Sequence, residues 1–276
     1  MRSVKSLVAA GAATLMSSVA FAADMPIAPP PMTYAPPPVE DFGGWYLRGD
    51  IGMTNQSVKR LDSNTAVLFP QTTNVGLGFD SSPLFGLGVG YQFNHWFRAD
   101  ITAQYRGRAN FHGSDRLIFS PTAFQSDNYS GSKSEALFLA NAYVDLGTWW
   151  CVTPFIGAGV GTSYNRISGF RDDNVQIVSG VTNGSVANFA DNGKWNFAWA
   201  AHAGLSYKVF PSVTLELAYS YVDLGSARPG AFTLVDGTTG ASSIVMKDIT
   251  SHDLKLGVRW NLDSPPVYAP PLIRKG

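Results

Sequence analysis

The chain has 276 residues, with 20 lysines and arginines against 20 aspartates and glutamates, and only 14% of its residues are charged, where ordinary globular chains carry roughly 25%. No basic surplus points to nucleic acid, and the single cysteine, Cys151, excludes an internal disulfide framework. Twenty-eight glycines and 13% aromatics argue for many strands and turns, while no stretch approaches the roughly 18 uninterrupted apolar residues of a transmembrane helix; the apolar faces therefore belong in a protein core or against lipid outside a β-barrel.

Residues 1–22, MRSVKSLVAAGAATLMSSVAFA, place Arg2 and Lys5 before an apolar run that ends in Ala20-Phe21-Ala22. This is the pattern of a secretory signal cleaved before Ala23, and it is short for a membrane anchor. Its removal takes two cations and no acid, leaving 18 basic against 20 acidic residues, a net of about −2. Residues 23–42 follow as a proline-rich, extended lead. In an exported chain Cys151 either pairs with another molecule or stays as an inert thiol in a turn.

Eight segments then alternate apolar and polar residues with a period of two, at about 44–57, 79–93, 96–110, 133–147, 152–167, 194–210, 213–227 and 251–262. Each is longer than the five or six residues usual for strands in globular proteins. The links alternate as well: NH, GTWW and PS are short, whereas 58–78, 111–132, 168–193 and 228–250 are long and rich in Gly, Ser, Asn, Asp and Thr. The expectation is an all-β fold, an eight-stranded antiparallel up-and-down transmembrane β-barrel over 43–262, with short periplasmic turns and long extracellular loops.

The first strand sets Tyr46, Arg48, Asp50 and Thr54 against Trp45, Leu47, Ile51 and Met53. The third sets Arg98, Asp100, Thr102, Gln104, Arg106 and Arg108 against Phe97, Ala99, Ile101, Ala103 and Tyr105, the fourth Glu135, Asn141 and Asp145 against Phe138, Ala142, Val144 and Leu146. The seventh carries Thr214, Glu216 and Ser220 on its polar face, the eighth Asp253, Lys255, Arg259 and Asn261. A soluble, lipocalin-like carrier would turn these apolar faces inward. Trp45, Trp96, Trp149, Trp150 and Trp260 argue otherwise, because all fall at the short-turn end of their strands, beside Phe93 and Phe210, as an interfacial girdle would. The polar faces then line a lumen just wide enough for side chains to fill it. Arg48, Arg98, Arg106, Arg108, Lys255 and Arg259 are expected there, neutralised by Asp50, Asp100, Glu135, Asp145, Glu216 and water, since an unpaired buried charge is costly. In the second and fifth strands, Gly86, Gly88, Gly90 and Gly157, Gly159, Gly161 fall on that inner face, either making room for long side chains or easing curvature.

The Ala-Ala-Asp start with its proline-rich lead, GGWYLRGDIG in the first strand, FGLGVGYQFN in the second, AYSYVDLG in the seventh and HDLKLGVRWNL in the eighth resemble the small outer-membrane β-barrel surface proteins of alphaproteobacteria. The resemblance implies an eight-stranded outer-membrane barrel, a surface antigen often called porin-like and linked to envelope integrity. Some proteins of that family bind haemin, but no haem-ligand motif can be matched here, so no cofactor is expected. Barrels of the family usually end in an aromatic residue that the barrel-assembly machinery reads. Here the last strand ends Trp260-Asn261-Leu262 and is followed by a proline-rich tail, 263–276, whose VYAPPL echoes TYAPPP of the lead. With eight strands both arms emerge on the periplasmic side, where they are expected either to contact a periplasmic partner or the cell wall or to act as spacers.

No metal-ligand or nucleophile motif is present: His95, His112, His202 and His252 are scattered. His202 is the one candidate base, and Ser206, four residues along the same face, lies roughly 13 Å away, too far for a hydrogen bond. The expected role is structural and surface-interactive rather than enzymatic, with a narrow small-solute channel as the alternative.

Overall fold

The computed structural model describes residues 43–63 and 73–262; the signal segment, the proline-rich lead and the tail lie outside the described residues. Twelve strands form within that span. They are β1 (Gly44–Asp62), β2 (Thr73–Phe79), β3 (Ser82–Gln92), β4 (Phe97–Ser120), β5 (Ala123–Asp145), β6 (Val152–Val178), β7 (Val181–Phe189), β8 (Asn192–Phe210), β9 (Val213–Ala227), β10 (Phe232–Leu234), β11 (Thr239–Gly240) and β12 (Val245–Asn261). Eight of them close a circuit of antiparallel pairs, β1–β3–β4–β5–β6–β8–β9–β12 and back to β1. Each expected segment corresponds to one member of this ring.

The links also alternate as expected, but two of the long ones, 111–132 and 168–193, are strand rather than loop for most of their length. Residues 111–132 continue β4 and β5 as one hairpin to a turn at 121–122, and β6 continues through 168–178 before returning as β7. β2 pairs with β4, β7 with β6 and β10 with β7, extending the sheet beyond one end of the ring. Polar β-branched and small residues sustain a pleat as well as apolar ones do on a face that meets water, so low hydrophobicity concealed these strands.

Around the turn-proximal half, the outer face is apolar: Ile51, Leu87, Ile101, Ile156, Leu205 and Leu256 are all exposed, Ile101 by 65%. The inner face carries the charges, with Arg98 and Arg106 wholly buried. A soluble carrier would have the opposite arrangement, and the lipocalin-like alternative is set aside on this observation.

A correction falls on Arg108. Arg106 faces Glu135 across the β4–β5 ladder, but Ala109 faces Lys133, so three steps along β4 match two along β5. The extra residue is a β-bulge, which re-aims the strand beyond it. Arg108 is therefore exposed on the outside, and Ala109, Phe111, Asp115 and Leu117 turn inward in its stead. β6 changes phase in the same way: Ser132 faces Ser168 and Ser130 faces Arg171, with Gly169 between at φ +59°, a conformation glycine adopts without steric cost. Beyond these bulges the interior becomes an apolar layer in which Phe170 stacks on Phe111 and Tyr129, both at 5.9 Å, together with Phe79, Ile167, Leu224 and Ile249.

Candidate functional site

The lumen charges gather into two groups. Nearer the turns, Arg48 pairs with Asp50 and Asp100 at 2.9 Å and with Glu216 at 3.5 Å; Arg98 pairs with Glu216 at 3.2 Å and Asp145 at 3.3 Å, and Arg259 with Glu216 at 3.4 Å. Glu216 thus holds three arginines. Arg98 also lies against the rings of Tyr143 and Phe155, 4.4 and 4.7 Å from their centroids, where its guanidinium gains cation–π attraction. Farther along, Arg106 bridges Glu135 and Asp253, each at 2.5 Å, and Lys133 binds Glu135 and Gln56. Lys255 makes no ion pair within 4 Å among the described residues; the carboxylates of Asp50 and Asp253 act on its charge from farther away.

All of the expected lumen residues but Arg108 thus share one interior. Two members of the network, Lys133 and the partner role of Asp253, were missed. Both continue the period of two, Lys133 from Glu135 and Asp253 from Lys255, so alternation alone would have found them. Gly88 and Gly90 serve their neighbours: a Cβ at Gly88 would come 3.0 Å from Arg48 Cγ, and one at Gly90 would overlap the Tyr46 ring. Room for inward side chains is the reading these two contacts support.

His202 does not meet Ser206, whose hydroxyl donates to Glu216 at 3.3 Å. Its Nδ1 lies 2.8 Å from Ser220 Oγ and its Nε2 3.1 Å from Asn141 Oδ1. Ser220 was the partner to find, on the neighbouring strand rather than the same one. This serine, histidine and amide are buried within the lumen, where they act as a hydrogen-bonded strut between β5, β8 and β9.

On the outer surface Trp45, Trp96, Trp149, Trp150 and Trp260 are all exposed, near the short turns. Cys151 lies in one of those turns and is also exposed. A second aromatic group that the strand pattern did not single out lies toward the long-link end: Trp195 meets Tyr164 at 5.0 Å and Phe138 at 6.2 Å, and Tyr221 meets Trp199 and His252 at 5.5 and 5.4 Å.

The third region is the far mouth of the ring, where Asp115, Asp127 and Asp172 project inward from β4, β5 and β6. Burial pushes the carboxyls of Asp115 and Asp172 up to about 7, and the neighbouring aspartates push the same way. Tyr129 between them donates its hydroxyl to Asp115 at 2.9 Å.

The apolar outside, charged inside and eight-membered ring agree with what a comparison of the sequence finds: residues 9–261 match the model of the outer membrane protein beta-barrel domain. The chain belongs to that family. Its place is the cell outer membrane, and the ring is a transmembrane barrel. A Brucella suis protein without an assigned function is 32% identical over 88% of this chain and 93% of its own length. A Rickettsia felis protein named as a candidate adhesin is 28% identical over 93% of this chain and 98% of its own. Among solved structures, the outer membrane protein OprG of Pseudomonas aeruginosa aligns over 79% of this chain and 96% of its own, at 14% identity and a TM-score of 0.44.

Proposed function

We propose that this barrel is a sealed anchor that presents a sheet of extracellular strands as a contact surface, a structural and surface-interaction role. Strand length carries the reading. A tilted strand crosses the hydrocarbon in about 9–11 residues, whereas β4, β5 and β6 run for 24, 23 and 27. More than half of each is thus left to project outward. The adhesin name borne by the Rickettsia relative is in keeping with this. The exposed tryptophans at the turns serve as the periplasmic-side girdle, and the aromatic group around Trp195 and Tyr221 as its counterpart in the outer leaflet. Membrane lipid and the assembly machinery are then its partners, and the proline-rich arms reach a periplasmic partner or the cell wall.

Attachment of cells producing the intact chain should exceed that of cells producing a variant whose β4–β5 and β6–β7 extensions are replaced by short turns. Equal attachment at equal surface amounts would overturn the reading. The channel alternative is disfavoured by the side chains that fill the lumen and by the apolar layer above them. Planar bilayers should accordingly show no steady unitary conductance, and reproducible steps that shift in Arg106→Ala would select the channel.

A further inference from the structure

The acidic mouth differs from every other charged part of the interior. Asp115 lies directly opposite Asp127 across the β4–β5 ladder, and Asp172 lies opposite Tyr129 across the β5–β6 ladder. Like charges facing each other on neighbouring strands are destabilising. Yet the side-chain donors among the described residues are neutral: Tyr129 to Asp115, Gln125 to Asp127 at 2.9 and 3.2 Å, and Asn174 to Asp127. Asp115 is 5% exposed and its Oδ1 has no hydrogen-bond partner; Oδ1 of Asp172 is likewise buried and unpartnered.

No lysine or arginine among the described residues comes within 4 Å of these three carboxylates. The cations of the same stretch turn elsewhere: Arg116 lies over the Phe124 ring at 4.9 Å, Arg171 pairs with Asp173 at 2.7 Å, and Lys133 sits deeper, bound to Glu135. In the lumen below, by contrast, Asp50, Asp100, Glu135, Asp145, Glu216 and Asp253 all have a cationic partner. The mouth has the carboxylates of such a network without its cations.

Beside them opens a cleft of about 280 Å³, whose walls include Asp127, Asp172, Tyr129, Phe189, Phe232 and Ile244. We propose that this cleft binds an organic cation, an alkylammonium or guanidinium group on an apolar stem. The carboxylates meet the charge, the aromatic faces attract it, and the apolar wall takes the stem. A bare metal ion fits less well, because the described residues hold no group of three or more His, Cys, Asp or Glu placed to ligate one. Without a guest, protons take the cation's place: Asp115 and Asp172 titrate near 7. The groups facing them are Asp127 and Tyr129 of β5, while β7 and β10 contribute only neutral residues to the cleft. Binding therefore strengthens as pH rises from about 6 to 8 and protons leave.

The guest could be a free polyamine or a lysine or arginine side chain of a partner polypeptide, and a single titration series separates them. The intact protein, folded in detergent micelles, is titrated calorimetrically with spermidine and with an acetylated lysine-rich peptide at pH 5.5 and pH 8, in matched salt. Saturable binding of either, at least tenfold tighter at pH 8 and lost in Asp127→Asn and Asp172→Asn, is the expected result; whichever ligand saturates names the source. A boiling-dependent shift on electrophoresis shows that the variants remain folded. Absence of saturable binding by both ligands at pH 8, binding that survives Asp172→Asn, or equal competition by calcium would overturn the proposal. Arg116→Gln should leave the affinity unchanged. The result does not depend on cell attachment, so the two readings fail separately.

Discussion

The turn-proximal and the far halves of the barrel obey opposite rules. Below the bulges the strands turn Ile101, Leu87 and Leu256 outward and Arg98, Asp100 and Glu216 inward; above them Arg108, His112 and Arg116 face out, while Phe111, Leu117 and Phe170 form the interior. The lower half is arranged for a hydrocarbon surround and the upper half for water, in the same strands, without a break in the hydrogen-bond ladder beyond a bulge. Solvent, not strand identity, sets which face is apolar, and a one-residue insertion is enough to exchange the faces where the solvent changes.

The comparison can be broken most decisively at Arg106. Arg106→Ala leaves Glu135 and Asp253 buried without their shared partner, and the loss should be about 3–5 kcal/mol, read as a large fall in the temperature at which the boiling-dependent electrophoretic shift occurs. A similar substitution in the upper half tests packing instead of pairing. Phe170→Ala removes the ring between Phe111 and Tyr129 and should cost about 3 kcal/mol, with faster hydrogen exchange confined to the extracellular ends of β4, β5 and β6. Arg108→Gln, two residues from the first site, should change stability by less than about 0.5 kcal/mol; a loss approaching that of Arg106→Ala would place Arg108 back in the lumen.

The acidic mouth supplies a test in pH. The carboxyls of Asp115 and Asp172 are raised to about 7 in the folded protein, well above the ordinary aspartate value near 4. The folded state therefore holds more protons than the unfolded one between those limits, and stability falls as pH rises through that window. Protection of the β4–β6 extensions from hydrogen exchange, corrected for the intrinsic rate, should decline from pH 5 to pH 8. Asp115→Asn should flatten that decline, and an unchanged slope would remove Asp115 from the explanation.

How much of this was legible in the chain follows the same division. The eight ring strands could be read because a surface against hydrocarbon demands apolar residues at every second position, and the charges between them then had only one place to go. Arg48, Asp50, Arg98, Asp100 and Glu216 were placed by that rule alone. The rule failed at Arg108 because a bulge has no composition of its own: Arg106-Gly107-Arg108 reads as unbroken alternation, and only the cross-strand register shows the extra residue. It failed again over 111–132 and 168–189, where neither face meets lipid and polar strands resemble loops. The aspartates of the mouth were visible as residues but not as a group, since what joins Asp115, Asp127 and Asp172 is the register of three strands, not their spacing in sequence.

The bulge at Arg108 has a consequence for how such a chain can vary. It acts as a frameshift in the code of inside and outside, so that the segments on either side are read in different phases. Deleting Arg108 alone would remove the extra residue, so that two steps along β4 match two along β5: Ala109 would still face Lys133, and Phe111 and Leu117 would keep their inward places in one unbroken alternation. Paired insertions at the hairpin tip likewise leave both phases intact. An insertion in the extracellular sheet therefore keeps both faces when it comes two residues at a time, and a single added residue keeps them only where a bulge absorbs it, as between Arg106 and Ala109.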